Sequence, residues 1–180
     1  CDDAQKVTRE CGLKDAETLS SNIKFIFNLA GNYLANQNPD INQTVKVLED
    51  ESKVEFIVVS DLFLTPSARY ADVLLPETSF MERWNIGETW GTGNYLLLSQ
   101  KLVEPAFERR SDYDWLRDVA RKLGVEARFS EGRDEKAWVE HIWEKTREAL
   151  ADHALPDFAG LCQQPHVYLK APPYVAFEEN

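Results

Sequence analysis

The chain has 180 residues, of which 43% are hydrophobic and 11% aromatic, so it carries enough apolar side chains to build a folded core and is not a disordered tail. Its 31 acidic and 20 basic side chains give a formal net charge of −11, which argues against the binding of nucleic-acid phosphates as a main activity. No apolar run approaches the roughly 20 residues that cross a bilayer, and the amino terminus lacks a signal-peptide hydrophobic region, so we expect a soluble piece without a targeting signal.

The first strand is predicted within residues 23–29, after a polar lead-in segment. Residues 1–22 are mostly charged or small, and their weak helical periodicity is interrupted at Ser20-Ser21-Asn22. Residues 23–29 are rich in β-branched and aromatic side chains and are followed by Ala30-Gly31-Asn32, which is a turn signal. We therefore expect a central strand that ends in a Gly-Asn turn.

A helix and two further strands follow, and their order predicts a parallel sheet. Pro39-Asp40 marks a helix start, and residues 56–61 form a second strand. Strand, helix and strand together have the length of a βαβ unit with a right-handed crossover. A crossover of about two turns at residues 65–70 leads to a third strand at residues 72–75.

A long loop separates these strands from the second half of the chain. Residues 77–94 contain Trp84, Trp90 and three glycines, and a loop of this length inside a domain is usually functional or covers something. Residues 95–99 are predicted to resume as a strand.

Two amphipathic helices are predicted in the second half. Apolar side chains recur at helical spacing over residues 113–123, and Gly124 supplies the C-cap. The second helix covers residues 135–150, with Trp138 and Ile142 at the centre of its apolar face.

These elements predict an α/β fold with three layers and a mainly parallel sheet built from Rossmann-like βαβ units. We assign residues 23–155 to this α/β domain. Residues 1–22 are interpreted as a lead-in from a preceding part of a longer protein, and residues 156–180 as an irregular, Pro-rich C-terminal segment.

Polar side chains follow the predicted strands at their carboxyl ends, where open α/β sheets bind ligands. Asn32 follows the first strand, and Ser60 and Asp61 end the second. Each has a structural alternative, because an Asn amide also suits a turn and a Ser-Asp pair also suits a cap for the Thr-Pro turn that follows. Asp112 precedes a predicted helix and is by composition a natural N-cap.

The remaining glutamates and cysteines do not form a recognisable catalytic or metal-binding pattern. Glu77, Glu82 and Glu88 form a loose carboxylate series without a His or Cys at metal-ligand spacing, so we expect a solvated loop. The three cysteines are too few and too scattered for a disulfide framework or a metal knuckle. The usual phosphate-loop and nucleophile motifs are absent, and we assign no catalytic and no metal-ligating residue.

An ordered series of short motifs makes the chain similar to a known family. The motifs are, in chain order, Gly31-Asn32, Ser60-Asp61, Thr65-Pro-Ser-Ala-Arg-Tyr-Ala-Asp-Val-Leu-Leu-Pro76, Glu82-Arg83, Glu104-Pro105 and Ser111-Asp112. The series resembles the cofactor domain of the molybdopterin-guanine-dinucleotide oxidoreductases, and most closely the catalytic subunits of the anaerobic dimethyl sulfoxide reductase type. Such an order is far more specific than any single motif.

The resemblance implies that Asn32, Ser60, Asp61 and Asp112 line the site for one of two pterin-guanine-dinucleotide arms. Their Asp carboxylates are suited to guanine nitrogens or a ribose hydroxyl. Arg83 stands where many relatives place a Lys that reaches the cofactor, and a cation there suits a pyrophosphate.

Two departures from the family pattern are visible. Ser67 replaces the usual Thr before Ala68, and residues 89–94 replace an Asn-x-Glu-Gly-Arg pattern of several relatives. The second departure puts direct contacts between this loop and the cofactor in doubt. It also points to the dimethyl sulfoxide reductase branch rather than the nitrate reductase and formate dehydrogenase branches.

For the whole protein, the resemblance implies a molybdenum enzyme that reduces S-oxides or N-oxides in anaerobic respiration. Its cofactors are bis(molybdopterin guanine dinucleotide) molybdenum and an iron–sulfur cluster upstream of this chain, and the piece alone is expected to be inactive and without bound cofactor. The implied partners are the remaining domains of the same catalytic subunit, an iron–sulfur electron-transfer subunit and a membrane anchor subunit, on the periplasmic face of a bacterial inner membrane. The alternative is a related domain that has lost the cofactor and acts as a structural scaffold.

Overall fold

The computed structural model describes residues 3–12, 14–15, 17, 21–89 and 93–171, which form a mixed α/β fold as the sequence predicts. Trp90 of the predicted loop and residues 172–180 of the C-terminal segment lie outside these residues. Within them, no helix is both long and apolar enough to cross a membrane.

The helices are α1 (Ala4–Glu10), α2 (Ile41–Leu48), α3 (Asp112–Lys122), α4 (Glu126–Ser130), α5 (Glu135–Ala149) and α6 (Phe158–Gln163). The strands are β1 (Phe25–Leu29), β2 (Phe56–Asp61), β3 (Val73–Pro76), β4 (Asn85–Glu88), β5 (Tyr95–Ser99) and β6 (His166–Tyr168).

The chain divides into two compact units, each with its own three-stranded sheet. Unit 1 comprises Cys1–Glu77 and Phe107–Asp112, and unit 2 comprises Thr78–Ala106 and Tyr113–Asn180. The sheet of unit 1 has the order β1-β2-β3, and the sheet of unit 2 has the order β4-β5-β6.

The sheet of unit 1 is parallel throughout, which confirms the predicted βαβ arrangement. β2 lies in the centre, with Leu29 opposite Ser60 and Ser60 opposite Leu75 in register. On one face, Ile57 and Val59 of β2 are buried in a cluster that includes Leu48 of α2. The short apolar run of β2 therefore provides the core of unit 1.

The Thr65–Pro76 motif forms the crossover from β2 to β3 and the third strand of unit 1. Its crossover is a single 3₁₀ turn at Ser67–Tyr70, shorter than the two turns predicted, and Ala68 of that turn is buried in the core. Directly before β3, Asp72 bonds to the amino end of β2: its Oδ2 accepts a hydrogen bond from Ile57 N at 2.7 Å, and its own N–H donates to Ile57 O at 2.9 Å.

The sheet of unit 2 is antiparallel, and part of it was not predicted. β5 pairs with β4 on one side and with β6 on the other. β4 lies inside the predicted loop 77–94, and α6 and β6 lie inside the segment predicted to be irregular, so both predictions are wrong for these elements. Their signal was weak because β4 and β6 are only four and three residues long and contain few β-branched side chains.

The core of unit 2 is built around Trp143 of α5. This side chain is fully buried in a cluster with Val139, Leu98, Phe158 and Leu161. Its indole N–H donates to Pro156 O at 3.0 Å. The predicted centre of the apolar face is wrong by one position, because Ile142 is 45% exposed and the buried stripe runs through Val139 and Trp143.

Candidate functional site

Three parallel strands and one isolated parallel bridge bring polar side chains to one edge of the sheet in unit 1. Asn32 follows β1, and Asp61 is the last residue of β2. Beyond β3, Glu77 forms an isolated parallel bridge with Arg110, whose N–H donates to Pro76 O at 3.0 Å. Asp112 therefore closely follows this parallel bridge, on the side of the carboxyl end of β3. We call the set Asn32, Ser60, Asp61 and Asp112 the carboxyl edge.

Asn32 is half-buried and is held by the β2–β3 crossover rather than by its own turn. Its Oδ1 accepts hydrogen bonds from Ser67 N at 3.0 Å and from Ser67 Oγ at 2.7 Å. Its Nδ2 has no hydrogen-bond partner among the described residues. The Asn32 side chain therefore does not cap its own turn, and its two N–H donors remain available to a ligand.

Ser60 is fully buried, at 0% exposure, and its hydroxyl has no hydrogen-bond partner among the described residues. Its backbone carbonyl accepts a hydrogen bond from Ala30 N at 2.8 Å, so the β1 turn is fixed to the end of β2. Because the side chain is enclosed, its hydroxyl contacts a ligand only if a neighbouring group moves.

Asp61 does cap the turn that follows it. Its Oδ1 accepts from Phe63 N at 3.2 Å, and its Oδ2 lies 3.4 Å from the Thr65 hydroxyl that donates to it. A carboxylate oxygen has two acceptor positions, so each oxygen retains capacity for one more donor. The cap and a ligand contact are compatible in this residue.

Asp112 is the first residue of α3 rather than the residue before it, so it lies in the first turn of the helix. Its Oδ1 is buried and has no hydrogen-bond partner among the described residues. A buried acceptor without a donor costs about 1–3 kcal/mol, which is unusual in a native fold unless another group satisfies it.

Arg83 belongs to unit 2, whereas the carboxyl edge belongs to unit 1. Its neighbours are tightly held: buried Glu82 accepts from Ser79 N at 2.9 Å and from Ala106 N at 3.3 Å, and Trp84 N donates to Glu135 Oε2 at 2.9 Å. The prediction of a solvated carboxylate series is wrong for Glu82, and likewise for Glu77, since both are buried.

Two buried hydroxyl residues, Ser67 and Thr78, have no role predicted from the sequence. Ser67 was visible only as a departure from a family pattern, and its bond to Asn32 joins residues too far apart for a local motif. Thr78 is 3% exposed, and its hydroxyl has no partner in the described part of the chain. Among the same residues, no group of three or more His, Cys, Asp or Glu is arranged to hold a metal ion.

The chain has clear relatives among known proteins. The family model described as molybdopterin oxidoreductase matches residues 3–122. Dimethyl sulfoxide reductase DmsA of Escherichia coli K12 is 36% identical over 177 residues, which are 94% of this chain and 21% of that protein. The dimethyl sulfoxide/trimethylamine N-oxide reductase of Rhodobacter capsulatus is 38% identical over 125 residues, covering 68% of this chain and 14% of that protein.

A solved structure has a fold similar to that of this chain. Acetylene hydratase from Pelobacter acetylenicus matches with a TM-score of 0.60 and 26% identity, covering 86% of this chain and 20% of that one. The chain thus spans about a fifth of the length of its full-length relatives.

Proposed function

Because the chain belongs to the molybdopterin oxidoreductase family, we propose that its carboxyl edge binds the guanine dinucleotide part of a molybdopterin cofactor. The chain resembles the reductases of dimethyl sulfoxide and trimethylamine N-oxide, so the proposed whole protein is an oxidoreductase of that type. Arg83 is proposed, from the resemblance alone, to bind a pyrophosphate of a molybdopterin cofactor.

The residues present fit such a group. Ser60 Oγ and Asp112 Oδ1 are both buried polar atoms without a partner in the described residues, and both lie at the carboxyl edge. Both atoms are enclosed, so each contacts a ligand only if a neighbouring group moves. Asn32 offers donors, and Asp61 offers further acceptor positions. Guanine and ribose carry both donors and acceptors, so this mixed set has the complementary chemistry. The unpartnered atoms at the carboxyl edge are the observation that carries the proposal.

The cofactor, when bound, supplies the two-electron chemistry at its molybdenum, and the protein contributes binding and orientation. In the proposed reaction an S-oxide or N-oxide takes up two electrons and two protons and yields the sulfide or amine and water. This chain's residues hold the nucleotide end of the cofactor. The protein ligand of the metal and an iron–sulfur cluster are proposed to lie in the rest of the protein.

The proposal extends to the setting of the whole protein. We place it in a complex with an iron–sulfur electron-transfer subunit and a membrane anchor subunit, at the periplasmic face of a bacterial inner membrane. The similarity to DmsA and to the putative Escherichia coli reductase chain YnfE, which is 42% identical over 151 residues, supports only the reductase type. The partner subunits and the periplasmic location are proposed from the motif resemblance alone.

The test is Asp61→Asn in the full-length protein. Asn still accepts the Phe63 N–H, so the turn is kept, but it replaces a carboxylate that strengthens hydrogen bonds from the nucleotide. We expect a several-fold fall in the guanine nucleotide released by acid and in bound molybdenum, without loss of the folded protein.

Asp50→Asn is the matched control. Asp50 lies between α2 and β2, away from the carboxyl ends, and its Oδ1 likewise accepts from a backbone N–H and a hydroxyl, Ser52 N at 3.0 Å and Ser52 Oγ at 2.6 Å. We expect full cofactor content in this variant. Equal cofactor content in Asp61→Asn, Asp50→Asn and the unaltered protein would mean that Asp61 is a turn residue only.

A further inference from the structure

The amide of Asn32 is fixed in a single orientation by the residue that it contacts. Ser67 N lies 3.0 Å from Asn32 Oδ1, and a backbone N–H is only a donor. The amide atom that faces it must therefore be the carbonyl oxygen, because an NH₂ group there would place a donor against a donor. Both N–H donors of Asn32 are consequently directed to the other side of the amide.

The Ser67 hydroxyl enforces the same orientation. It accepts a hydrogen bond from Ala35 N at 2.9 Å, and its single proton donates to Asn32 Oδ1 at 2.7 Å. Ser67 is 0% exposed and is the first residue of the 3₁₀ turn Ser67–Tyr70, so its side chain is enclosed and its backbone belongs to a defined turn. Two donors from one buried residue thus hold one acceptor.

We propose that Ser67 is a positioning residue that holds Asn32 so that its Nδ2 donates to an acceptor atom of the bound guanine nucleotide. The acceptor is a carbonyl, phosphate or ribose oxygen or a ring nitrogen, and not a donor group. This inference rests on the proposed function of the carboxyl edge.

A purely structural role for Ser67 has a different signature. In that case the hydroxyl only connects the β1 turn to the β2–β3 crossover, and its removal lowers the melting temperature alone. A positioning role adds a loss of nucleotide that exceeds the loss of stability, and a hydroxyl-bearing replacement restores the nucleotide.

The experiment compares Ser67→Ala, Ser67→Thr and a control, Ser130→Ala, in the full-length protein. Ser130 is 1% exposed, and its hydroxyl also makes two bonds: it donates to Glu126 O at 3.0 Å and accepts from Gly132 N at 3.2 Å. The two Ala variants therefore lose the same kinds of hydrogen bond. For each protein, the guanine nucleotide released by acid per polypeptide and the melting temperature are measured together.

We expect Ser67→Ala to lose guanine nucleotide several-fold, whereas Ser130→Ala keeps it even if its melting temperature falls as far. Ser67→Thr should retain most of the nucleotide. A folded Ser67→Thr that loses as much as Ser67→Ala overturns the inference, and so does full nucleotide content in Ser67→Ala.

Asn32→Asp keeps the test decisive if Ser67→Ala does not fold. A carboxylate accepts both bonds from Ser67 as the amide oxygen does, but it removes the Nδ2 donors. We expect an unchanged melting temperature and a several-fold loss of guanine nucleotide, and full content overturns the inference. If Asn32→Asp loses guanine nucleotide and a folded Ser67→Ala does not, the positioning role of Ser67 is rejected and the proposed function stands. If neither variant loses guanine nucleotide, Asn32 is removed from the site.

Discussion

The four side chains of the carboxyl edge differ in what their neighbours leave them free to bind. Asn32 has its oxygen engaged and its donors open, and Asp61 is engaged at both oxygens with capacity remaining. Asp112 and Ser60 each keep a buried polar atom that no described residue satisfies. Substitutions at Asn32 and Asp112 should therefore separate ligand binding from folding most cleanly.

Asp112→Asn in the full-length protein is expected to lower guanine nucleotide content several-fold. The amide presents a donor where the carboxylate presents only acceptors, so a donor of the ligand is no longer matched. The first turn of α3 loses a favourable charge at its N-terminus, worth about 0.3–1 kcal/mol, so the melting temperature should change little. Nucleotide content and melting temperature are measured on the same samples.

Asp134→Asn is the control for this variant, since Asp134 caps α5 by accepting from Ala137 N at 2.8 Å and lies outside the carboxyl edge. It should keep its full nucleotide content. Unchanged nucleotide in Asp112→Asn would leave the helix terminus as the only role of Asp112, and we would then remove it from the site.

At the scale of elements, one carboxylate joins two strands of the parallel sheet in unit 1. Asp72 Oδ2 accepts the Ile57 N–H at 2.7 Å and joins the amino ends of β2 and β3. Asp72→Ala should destabilise unit 1 by about 1–3 kcal/mol, because the N–H of buried Ile57 is left without an acceptor, whereas solvent screens the charge of the exposed carboxylate. Hydrogen exchange at the Ile57 amide should become faster.

Asp40→Ala is the comparison for that variant, because Asp40 caps α2 by accepting from Gln43 N at 3.0 Å and is not bonded to the sheet. It should speed exchange in α2 and leave Ile57 protected. Unaltered exchange at Ile57 in Asp72→Ala would contradict the role that we give to this carboxylate.

The junction of α3 and α4 should respond to acid. Hydrogen bonds from Arg121 and then Arg117 hold the pKa of the Glu126 carboxyl below its ordinary value of 4.5. A lowered pKa in the folded state means that the ion pair stabilises the fold fully above pH 4.5 and that this stabilisation is lost as the pH falls through the lowered pKa. Glu126→Gln should thus be less stable than the unaltered chain near pH 7.

The measurement is the denaturation midpoint of the two proteins at several pH values. The difference between them should shrink as the pH is lowered from 5 to 3. A difference that is independent of pH would show that the carboxylate charge does not contribute.

The sequence predicted elements whose signals are local and missed those that depend on distant partners. β2 was predicted from its apolar run, α2 from Pro39-Asp40, and α3 and α5 from apolar side chains at helical spacing, with Gly124 as the C-cap of α3. β4, α4 and α6 are short, and tertiary neighbours decide their conformation. At the site, parallel order was enough to bring Asn32 and Asp61 to one edge, but no local pattern shows the bond between Asn32 and Ser67.

At the scale of the whole molecule, the proposed function gives the chain a nucleotide site and assigns the reaction to the full-length protein. The chain spans about a fifth of the length of its relatives. The full-length protein should reduce dimethyl sulfoxide and trimethylamine N-oxide with a reduced dye as electron donor. The 180-residue piece should not reduce either above a buffer control, and turnover by the piece would contradict the division of roles proposed here.

The most direct test of the carboxyl edge is an experimental structure of the full-length protein with its cofactor bound. We predict that a guanine nucleotide lies against Asn32, Asp61 and Asp112, with Asn32 Nδ2 donating to it and Asp112 Oδ1 accepting from it. Guanine density elsewhere, with other protein atoms filling this edge and satisfying Asp112 Oδ1, would contradict the account.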